Sequence, residues 1–268
     1  MSTTALSDIR LFLLDMDGTV FLGDTLLDGA EELVHTLREQ HKDCVFFPNN
    51  SSKSAREYIK KLSDAGICCS GDSVFTTGMA AGMLFSREYS GKSVFVCGTR
   101  SLAKELEDYG IELKQDGADI VLVGYDTELT YEKIATACRL IDGGALYFAT
   151  HPDLICPVEG GSFLPDCGSI VNLIGEAVGK APVFIGKPQR TVPDIIARAK
   201  QVEHKHIAIV GDRLYTDIAA GINAGITSVL VLTGETNEAV LAASDIKPDY
   251  VFNSVKELNN ILIGKDAE

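Results

Sequence analysis

The residues of this sequence that can do chemistry follow short apolar runs, and the first such motif is acidic. Asp15 and Asp17 come directly after the apolar run 9–14. Because side chains alternate along an extended chain, both carboxylates point to the same side. One of them can then attack as a nucleophile while the other moves a proton. The structural alternative is an aspartate pair that only caps the next helix.

A second acidic pair, Asp212 and Asp217, follows the apolar run 206–210. Asp212 at the strand end can join Asp15 as a metal ligand, and Asp217, one turn into the next helix, can orient it. Oxygen ligands that leave room for water suit Mg²⁺. Two helix-capping aspartates are again the structural alternative.

Lys187 lies in a Gly-Lys-Pro turn after the apolar run 183–185. An ammonium at that point can keep the nucleophile anionic, neutralise crowded carboxylates and clamp a phosphoryl group during its transfer. A lysine that is simply solvated in a loop is the commoner role for this residue type. The motif is therefore informative only together with the acidic pairs.

Asn49, Asn50 and Ser51 follow the apolar run 44–47 and precede a stretch with helical periodicity. Backbone N–H groups and short polar side chains at the start of a helix bind anions readily. The same residue types also form ordinary N-terminal caps. The segment is thus a candidate substrate-binding loop with a purely structural alternative.

These motifs are separated by stretches with helical spacing, which predicts an α/β fold with a parallel sheet. Near-continuous apolar strands are expected when helices cover both faces of a sheet, as in a Rossmann-like doubly wound core. In such sheets, ligands bind beyond the carboxyl ends of the strands, where the four motifs lie. The predicted helices of this core span residues 29–40, 54–65, 192–202 and 215–224.

The spacing of the motifs predicts two domains. The stretch between Asp17 and Asn49 suffices for one helical crossover, whereas the stretch between Asn50 and Lys187 is far longer than a crossover needs. The longer stretch contains strand and helix patterns of its own. We therefore predict a core formed by residues 1–78 and 182–268, with an inserted α/β cap domain at 79–181.

Composition limits the classes of function. The 268 residues include 24 Lys and Arg against 38 Asp and Glu, for a net charge of −14, and 46% are hydrophobic. This is the composition of a globular protein with a real core. The acid excess argues against a nucleic-acid partner, which clustered basic residues would hold, and indicates that any phosphate is handled on small molecules with the help of a metal.

No segment predicts secretion or membrane insertion: the N-terminal residues have no basic and apolar signal pattern, and no apolar run approaches the roughly 18–20 residues of a membrane span. The seven cysteines are odd in number and form no C-x-x-C pair, which argues against zinc and disulfides. We therefore expect a cytoplasmic protein whose cysteines are small buried side chains.

Taken together, the four motifs resemble those of the haloacid dehalogenase superfamily. The order is D-x-D-G-T at 15–19, Asn-Asn-Ser at 49–51, G-K-P at 186–188 and G-D-x-x-x-x-D at 211–217. The insertion resembles a C2-type cap. Three further segments resemble the NagD-like, p-nitrophenylphosphatase-like branch: Gly124-Tyr125-Asp126, Pro152-Asp153 and Gly168-Ser169.

The resemblance implies a role for each motif residue. Asp15 matches the nucleophile that forms an aspartyl-phosphate and also binds Mg²⁺. Asp17 matches the acid/base residue that protonates the leaving oxygen and activates water, with its backbone carbonyl on the metal. Asp212 matches the third metal ligand, Asp217 a supporting acid, and Lys187 the clamp on phosphate and nucleophile.

The loop at 48–52 departs from the pattern at one position. The branch usually has Thr or Ser where this sequence has Pro48, which offers neither a hydroxyl nor an N–H. Losing a hydrogen bond to a charged group costs about 1.5–3 kcal/mol. The contact to the phosphoryl group must then come from the N–H of Asn49, from Asn50 or from Ser51. His151, where the branch often has Asn, is interpreted as structural and left out of the site.

The implied function is Mg²⁺-dependent hydrolysis of small phosphomonoesters such as sugar phosphates, nucleoside monophosphates, phosphoglycolate, pyridoxal phosphate or aryl phosphates. A cap that roofs the site argues against protein substrates. We expect the cap segment 153–166, with Cys156, Glu159 and Phe163, to face the leaving group. Pairing through the caps, common in this branch, makes a homodimer a candidate state.

Two alternatives stay open. A phosphotransferase would pass the aspartyl-phosphate to another hydroxyl, although mutases of the superfamily usually carry their cap between the first two motifs, where this chain has no room. A binding or regulatory protein with weak catalysis is favoured only by Pro48. A nicotinamide-binding domain is disfavoured because no G-x-G-x-x-G follows the first strand.

Overall fold

The structure is a computed structural model that describes residues 4–71, 73–158 and 162–265. Its contacts divide the chain into two compact units. The larger unit comprises Met1–Pro48, Ile59–Phe75 and Lys187–Glu268. The smaller unit comprises Asn49–Tyr58 and Thr76–Gly186.

The strands are short and are numbered in chain order. They are β1 (Leu11–Leu14), β2 (Phe21–Leu22), β3 (Thr25–Leu26), β4 (Asp43–Phe46), β5 (Val94–Cys97), β6 (Ile120–Val123), β7 (Leu146–Ala149), β8 (Ile155–Val158), β9 (Ser162–Pro165), β10 (Val183–Phe184), β11 (Ile207–Gly211), β12 (Thr227–Val231) and β13 (Tyr250–Phe252).

The α-helices alternate with these strands. They are α1 (Ala30–Glu39), α2 (Ala55–Asp64), α3 (Thr77–Glu88), α4 (Arg100–Asp108), α5 (Tyr131–Asp142), α6 (Cys167–Val178), α7 (Thr191–Lys200), α8 (Ala219–Ala224), α9 (Glu238–Ala243) and α10 (Val255–Leu262). Short 3₁₀ turns lie at Leu6–Asp8 and His204–His206, and a π-helical turn at Leu214–Ile218 precedes α8.

The larger unit is built on a parallel sheet with the strand order β13-β12-β11-β1-β4. Every residue of its three central strands, β1, β11 and β12, is buried. This is the pattern of a sheet covered on both faces, and it explains why these segments read as uninterrupted apolar runs. Because all strands run the same way, their carboxyl ends lie along one edge of the sheet.

The smaller unit has its own parallel sheet, ordered β10-β7-β6-β5, and an antiparallel hairpin, β8–β9. Its core contains residues of the central strands together with the buried faces of α5 and α6. The predicted α/β architecture with parallel sheets is thus confirmed. Assignment of the units as core and inserted cap stays a prediction.

The bounds of the units differ from the predicted insertion at 79–181 for a physical reason. Strand β10, placed by sequence in the core, pairs with β7 of the smaller unit, with Val183 opposite Phe148. The segment Asn49–Tyr58 also belongs to the smaller unit. Neither assignment follows from local sequence, because partner choice for a two-residue strand depends on tertiary packing.

Within the described residues, no helix is long and apolar enough to span a membrane.

Each parallel sheet ties two neighbouring strands together with an aspartate–serine pair. In the smaller unit, the Asp119 carboxylate accepts hydrogen bonds of 2.9 Å from the N–H and the hydroxyl of Ser93. In the larger unit, the Asp249 carboxylate accepts the same two bonds from Ser228 at 2.8 Å. These bonds fix the register at which β6 and β13 start beside their neighbours.

Glu105, on the buried face of α4, joins three helices of the smaller unit. Its Oε1 accepts from the Ala55 N–H at 2.7 Å, at the start of α2. Its Oε2 accepts from the Thr76 hydroxyl at 2.7 Å, and Thr76 in turn caps α3 by accepting from the Met79 N–H. Burial raises the pKa of Glu105 above its ordinary value of 4.5, although these hydrogen bonds oppose the shift.

This shift predicts a pH-dependent contribution of Glu105 to stability. A carboxyl group whose pKa is raised on folding binds more proton in the folded state, so its contribution falls as pH rises from 4.5 through the folded pKa. We expect the free energy of unfolding of the wild type, minus that of Glu105→Gln, to decrease across this window. Urea denaturation of the full chain between about pH 4 and 8 measures the difference.

Glu107→Gln, on the exposed face of the same helix, controls for the loss of one carboxylate. A wild-type minus Glu105→Gln difference that stays constant or increases with pH contradicts the prediction.

Candidate active site

The larger unit gathers Asp15, Lys187, Asp212 and Asp217 at the carboxyl edge of its sheet. Asp15 follows β1, Asp212 follows β11, and Asp217 lies on the π-helical turn after it. Side-chain exposure is 10% for Asp15 and 1% for Lys187 and Asp217, and Asp212 is buried as well. One oxygen of each carboxylate lies within 4.8 Å of the others.

Lys187 is the cation of this cluster. Its Nζ contacts Asp15 Oδ1 directly and donates to Asp217 Oδ1 at 2.7 Å. The ammonium also lies 4.9 Å from the centroid of the Phe47 ring, at a distance typical of a cation–π contact. Burial alone would lower the pKa of Lys187, but attraction to Asp15 and Asp217 raises it above its usual value. The ammonium is therefore charged at neutral pH.

The carboxylates experience the opposite balance. Burial raises the pKa of Asp15 well above its usual range; Lys187 opposes this shift, while Asp217 and Asp212 add to it. Burial and the neighbouring Asp217 raise the pKa of Asp212 to about 7. One ammonium thus compensates the charge of the three carboxylates only in part. Two negative charges are left when all are ionised, which matches the charge of a divalent cation.

Asp212 is held by one of its two oxygens. Its Oδ2 accepts from the Glu235 N–H at 2.6 Å. Its Oδ1 is buried and has no hydrogen-bond partner among the described residues, although a buried carboxylate oxygen is normally satisfied. An oxygen left in this state beside two further carboxylates fits the donor set that Mg²⁺ prefers. Asp15, Asp212 and Asp217 thus form a group of residues that fits a magnesium ion.

Two glycines let the backbone approach Asp212 closely. A Cβ on Gly234 would lie 2.0 Å from Asp212 Oδ2, and a Cβ on Gly18 would lie 2.5 Å from the same atom. Gly18 also has φ of +92°, which a side chain would strain. The Thr233 hydroxyl donates to the Gly18 carbonyl at 2.6 Å and joins the two loops.

Asp17 lies beside the cluster in a more open position. Its side chain is 43% exposed, and Lys61 Nζ lies 4.0 Å from its Oδ1. Lys61 donates to the Gly23 carbonyl at 2.8 Å and lies 4.4 Å from the centroid of the Phe21 ring. Lys61 therefore connects α2 to the β2–β3 hairpin that follows the D-x-D motif. Access to solvent suits a group that exchanges protons with a substrate or water.

Asn49, Asn50 and Ser51 belong to the smaller unit, where their side chains take part in local hydrogen bonds. Asn49 Nδ2 donates to Asp153 at 2.9 Å. Asn50 Oδ1 accepts from the N–H and the hydroxyl of Ser52 at 2.9 and 2.7 Å. These bonds give the loop a defined conformation.

The hydroxyl of Ser51, which was predicted to bind substrate, is buried within the smaller unit. It accepts from the Tyr125 N–H and pairs with the Thr150 hydroxyl, both at 2.9 Å. Its side chain thus has a structural role in this loop. The substrate-binding role of residues 49–51 stays a prediction.

The predicted cap segment is described in part. Cys156 Sγ lies 4.0 Å from Asn50 Nδ2, and the side chain of Phe163 on β9 is exposed. Glu159 lies outside the described residues. The role of this segment in facing the leaving group stays a prediction.

Sequence reasoning missed several residues around the cluster. Phe47, Lys61, Gly234 and the turn at 233–235 belong to no motif that was recognised from the sequence. The one signal for this turn was its position after β12, at the same edge as the other motifs. Its contact with Asp212 could not be anticipated, because it depends on how two loops meet in space.

Comparison with protein families matches two regions of the chain. Residues 12–112 match the model of a family described as haloacid dehalogenase-like hydrolase. Residues 184–258 match a second model, described as HAD-hydrolase-like. The first match includes Asp15 and Asp17, and the second includes Lys187, Asp212 and Asp217.

Individual proteins are similar to nearly the whole chain. The acid sugar phosphatase of Staphylococcus saprophyticus is 33% identical over 96% of this chain and 98% of its own. The solved 4-nitrophenylphosphatase of Thermotoga maritima is 43% identical, with a TM-score of 0.92 over 95% of this chain and 98% of that one. A glycerol phosphate phosphatase of Mycobacterium tuberculosis, solved with magnesium, is 29% identical, with a TM-score of 0.87 over 95% and 78% of the two chains.

The buried ammonium predicts the response to its removal. We expect Lys187→Met to lower the free energy of unfolding by about 3–5 kcal/mol, because Asp15 and Asp217 lose their compensating charge. Urea denaturation of the full chain in the presence of a chelator measures this change.

Lys60→Met is the matched control, because Lys60 forms an exposed pair with Asp64 and such pairs contribute little. A loss for Lys187→Met no larger than that of the control would mean that the carboxylates do not depend on the ammonium.

Proposed function

Because the chain belongs to the haloacid dehalogenase-like hydrolases, we propose that it is a Mg²⁺-dependent phosphatase that hydrolyses small phosphomonoesters through an aspartyl-phosphate on Asp15. The family and its NagD-like, p-nitrophenylphosphatase-like branch were predicted from the motifs and are confirmed by the comparisons. The substrate class, the metal and the residue roles are the content of the proposal.

The observation that carries the proposal is the contact of Asp15 with Lys187 beside two further buried carboxylates. A buried carboxylate is a useful nucleophile only if it is ionised, and an adjacent ammonium favours that form. Lys187 also brings a positive charge to the place where the phosphoryl oxygens gain negative charge. Both effects are local to the larger unit.

In the first step of the proposed reaction, a carboxylate oxygen of Asp15 attacks phosphorus and the ester P–O bond breaks. Asp17 gives its proton to the departing oxygen, which leaves as an alcohol. In the second step, Asp17 takes a proton from water while that water attacks phosphorus. The bond to Asp15 breaks, inorganic phosphate leaves, and Asp15 regains its carboxylate.

Asp15, Asp212 and Asp217 would hold or support Mg²⁺, together with the backbone carbonyl of Asp17. When bound, the ion supplies positive charge that offsets the carboxylates and the phosphoryl oxygens. Support for this ion comes from the buried unpaired oxygen of Asp212 and from the magnesium complex of the glycerol phosphate phosphatase that this chain resembles.

For the substrate we propose small phosphomonoesters, with sugar phosphates and related polyol phosphates first. The names of the similar proteins support this class, since they include an acid sugar phosphatase and a glycerol phosphate phosphatase. The 4-nitrophenylphosphatase of Thermotoga maritima is named for an aryl ester, and we include this type of ester in the test. Nucleoside monophosphates, phosphoglycolate and pyridoxal phosphate belong to the test panel.

Three properties stay predictions: a cytoplasmic location, the absence of nucleic-acid and membrane partners, and cap-mediated dimerisation.

The decisive experiment measures phosphate release from this panel and from p-nitrophenyl phosphate, with Mg²⁺ and with a chelator. We expect metal-dependent turnover in the wild type. Asp15→Asn should lower kcat by about four orders of magnitude or more, because no nucleophile is left. Asp24→Asn, whose side chain is 96% exposed, is the matched control and should retain activity.

Substantial Mg²⁺-dependent hydrolysis by Asp15→Asn would reject the mechanism. Loss of ester without release of inorganic phosphate in the presence of added alcohols would indicate a phosphotransferase instead. A folded protein that turns over none of the esters would favour the binding or regulatory alternative.

The role of Asp17 predicts a dependence on the leaving group. An alkoxide needs a proton to leave, whereas p-nitrophenolate is stable as an anion. We therefore expect Asp17→Asn to lower the rate of aspartyl-phosphate formation by about 10²–10⁴-fold for glycerol phosphate. The loss for p-nitrophenyl phosphate should be clearly smaller.

Single-turnover kinetics separate this step from the later attack of water. Equal losses for the two esters would show that Asp17 does not act as the acid.

A further inference from the structure

His151 lies at the centre of a buried cluster in the smaller unit. Its ring is fully buried, with Nδ1 3.3 Å from Asp153 Oδ2 and Nε2 3.6 Å from Asp166 Oδ1. Both carboxylates are buried as well. The imidazole thus lies between the two carboxylates and packs against both.

Asp153 connects this cluster to the loop at 49–51. The oxygen that faces His151 also accepts from Asn49 Nδ2 at 2.9 Å, and Asn49 is buried. The amide oxygen of Asn49 points to the other side, where a Cβ on Gly186 would lie only 2.7 Å away. The amide group therefore packs closely against Gly186 at one end, and its hydrogen bond to Asp153 orients the other.

The far end of the cluster is anchored on helix α6. Asp166 caps this helix and accepts from the Cys167 N–H at 2.6 Å. The Gly168 N–H donates to the Asp153 carbonyl at 2.8 Å. A Cβ on Gly168 would lie 2.1 Å from the Pro152 carbonyl oxygen, so the turn packs directly on the first turn of the helix. Asp153 thus has fixed main-chain and side-chain positions.

Three other positions of the loop have polar groups that are missing or take part in local hydrogen bonds. Pro48 has no hydroxyl or N–H, and the Ser51 hydroxyl bonds to Tyr125 and Thr150. Asn50 Oδ1 accepts from Ser52. Any phosphoryl group bound by this loop therefore depends strongly on how Asn49 and the adjacent backbone are placed.

We propose that Asp153, packed against His151 and anchored to the first turn of α6, is a positioning residue that sets the placement of Asn49 and so the affinity of the loop for a phosphoryl group. This inference rests on the proposed function and on the predicted role of residues 49–51 in binding the phosphoryl part of the substrate. Since that part is common to all phosphomonoesters, the effect of Asp153 is independent of the leaving group.

The test uses the full chain with Mg²⁺ and compares Asp153→Ala with Asp153→Asn. We expect Asp153→Ala to raise KM for glycerol phosphate, KM for p-nitrophenyl phosphate and Ki for inorganic phosphate by a similar factor of about tenfold. Asp153→Asn keeps an oxygen that can accept from Asn49, and should restore all three constants to within about threefold of the wild type. Changes in kcat should be smaller than those in KM.

Asp126→Ala is the matched control, because Asp126 is a second buried aspartate of the same unit, paired with Lys133 at 2.7 Å. A merely structural role lowers the unfolding midpoint without moving Ki for phosphate, and we expect that result for Asp126→Ala. The same result for Asp153→Ala would overturn the proposal. So would an effect on one ester only, which would indicate contact with a leaving group.

Calorimetric titration with inorganic phosphate separates failure of this proposal from failure of the proposed function. A wild type that hydrolyses no ester but binds phosphate more tightly than Asp153→Ala rejects the phosphatase and supports the positioning role. Equal phosphate affinities overturn the positioning role even if the wild type is active. If Asp153→Ala does not fold, His151→Gln takes its place and should raise Ki for phosphate in the same direction.

Discussion

The ammonium of Lys187, buried among Asp15, Asp212 and Asp217, is the charge on which the site of the larger unit depends. Carboxylates that approach within 4.8 Å of each other in a buried place repel strongly and cannot all be ionised without a cation. Lys187 contacts two of them and lies against Phe47, which excludes water from one side. The arrangement compensates part of the charge and leaves the rest for a divalent ion.

This electrostatic requirement constrains the backbone. The charged groups come from three separate turns, after β1, after β10 and after β11, and each must reach the same small volume. For Asp15 and Asp212 the parallel sheet of the larger unit meets that need, because β1 and β11 are neighbours in it and their carboxyl ends lie along one edge. The glycines then remove the remaining obstacle: Gly18 and Gly234 let two loops approach Asp212 within distances that a Cβ would forbid. The charged side chains thus balance the charge of the site, whereas the glycines permit the close approach of the backbone.

Much of this could be predicted from the sequence, because strand-end motifs are local. Apolar runs followed by Asp15, Asp212 or Lys187 carry their own signal of strand and turn, and for Asp15 and Asp212 the parallel sheet of the larger unit converts that signal into proximity. What could not be predicted depends on contacts between distant segments. The pairing of β10 with β7, the contact of Glu235 with Asp212 and the position of Lys61 beside the hairpin leave no periodicity or motif in the chain.

His151 shows the same limit in a different form. From sequence it was one histidine at a position where the branch often has asparagine, and a structural role was the reasonable interpretation. Its significance comes from two carboxylates, Asp153 and Asp166, that lie on either side of the ring. Pro152-Asp153 was noted in the sequence only as part of a family resemblance, and its meeting with His151 and Asp166 depends on tertiary packing.

The loop at 48–52 is affected both by a local change in sequence and by contacts with distant segments. A proline in place of the usual hydroxyl residue removes a donor from the loop, and the structure shows that the neighbouring Ser51 hydroxyl is already engaged in holding Tyr125 and Thr150. In the role that we propose for this loop, its affinity for an anion depends on the orientation of its backbone and of Asn49. Orientation of that kind requires a rigid support, because each freely rotating group would lose conformational entropy on binding. In our proposal the buried cluster of His151, Asp153 and Asp166 supplies such support, and it relates the substitution at residue 48 to the unusual histidine at residue 151.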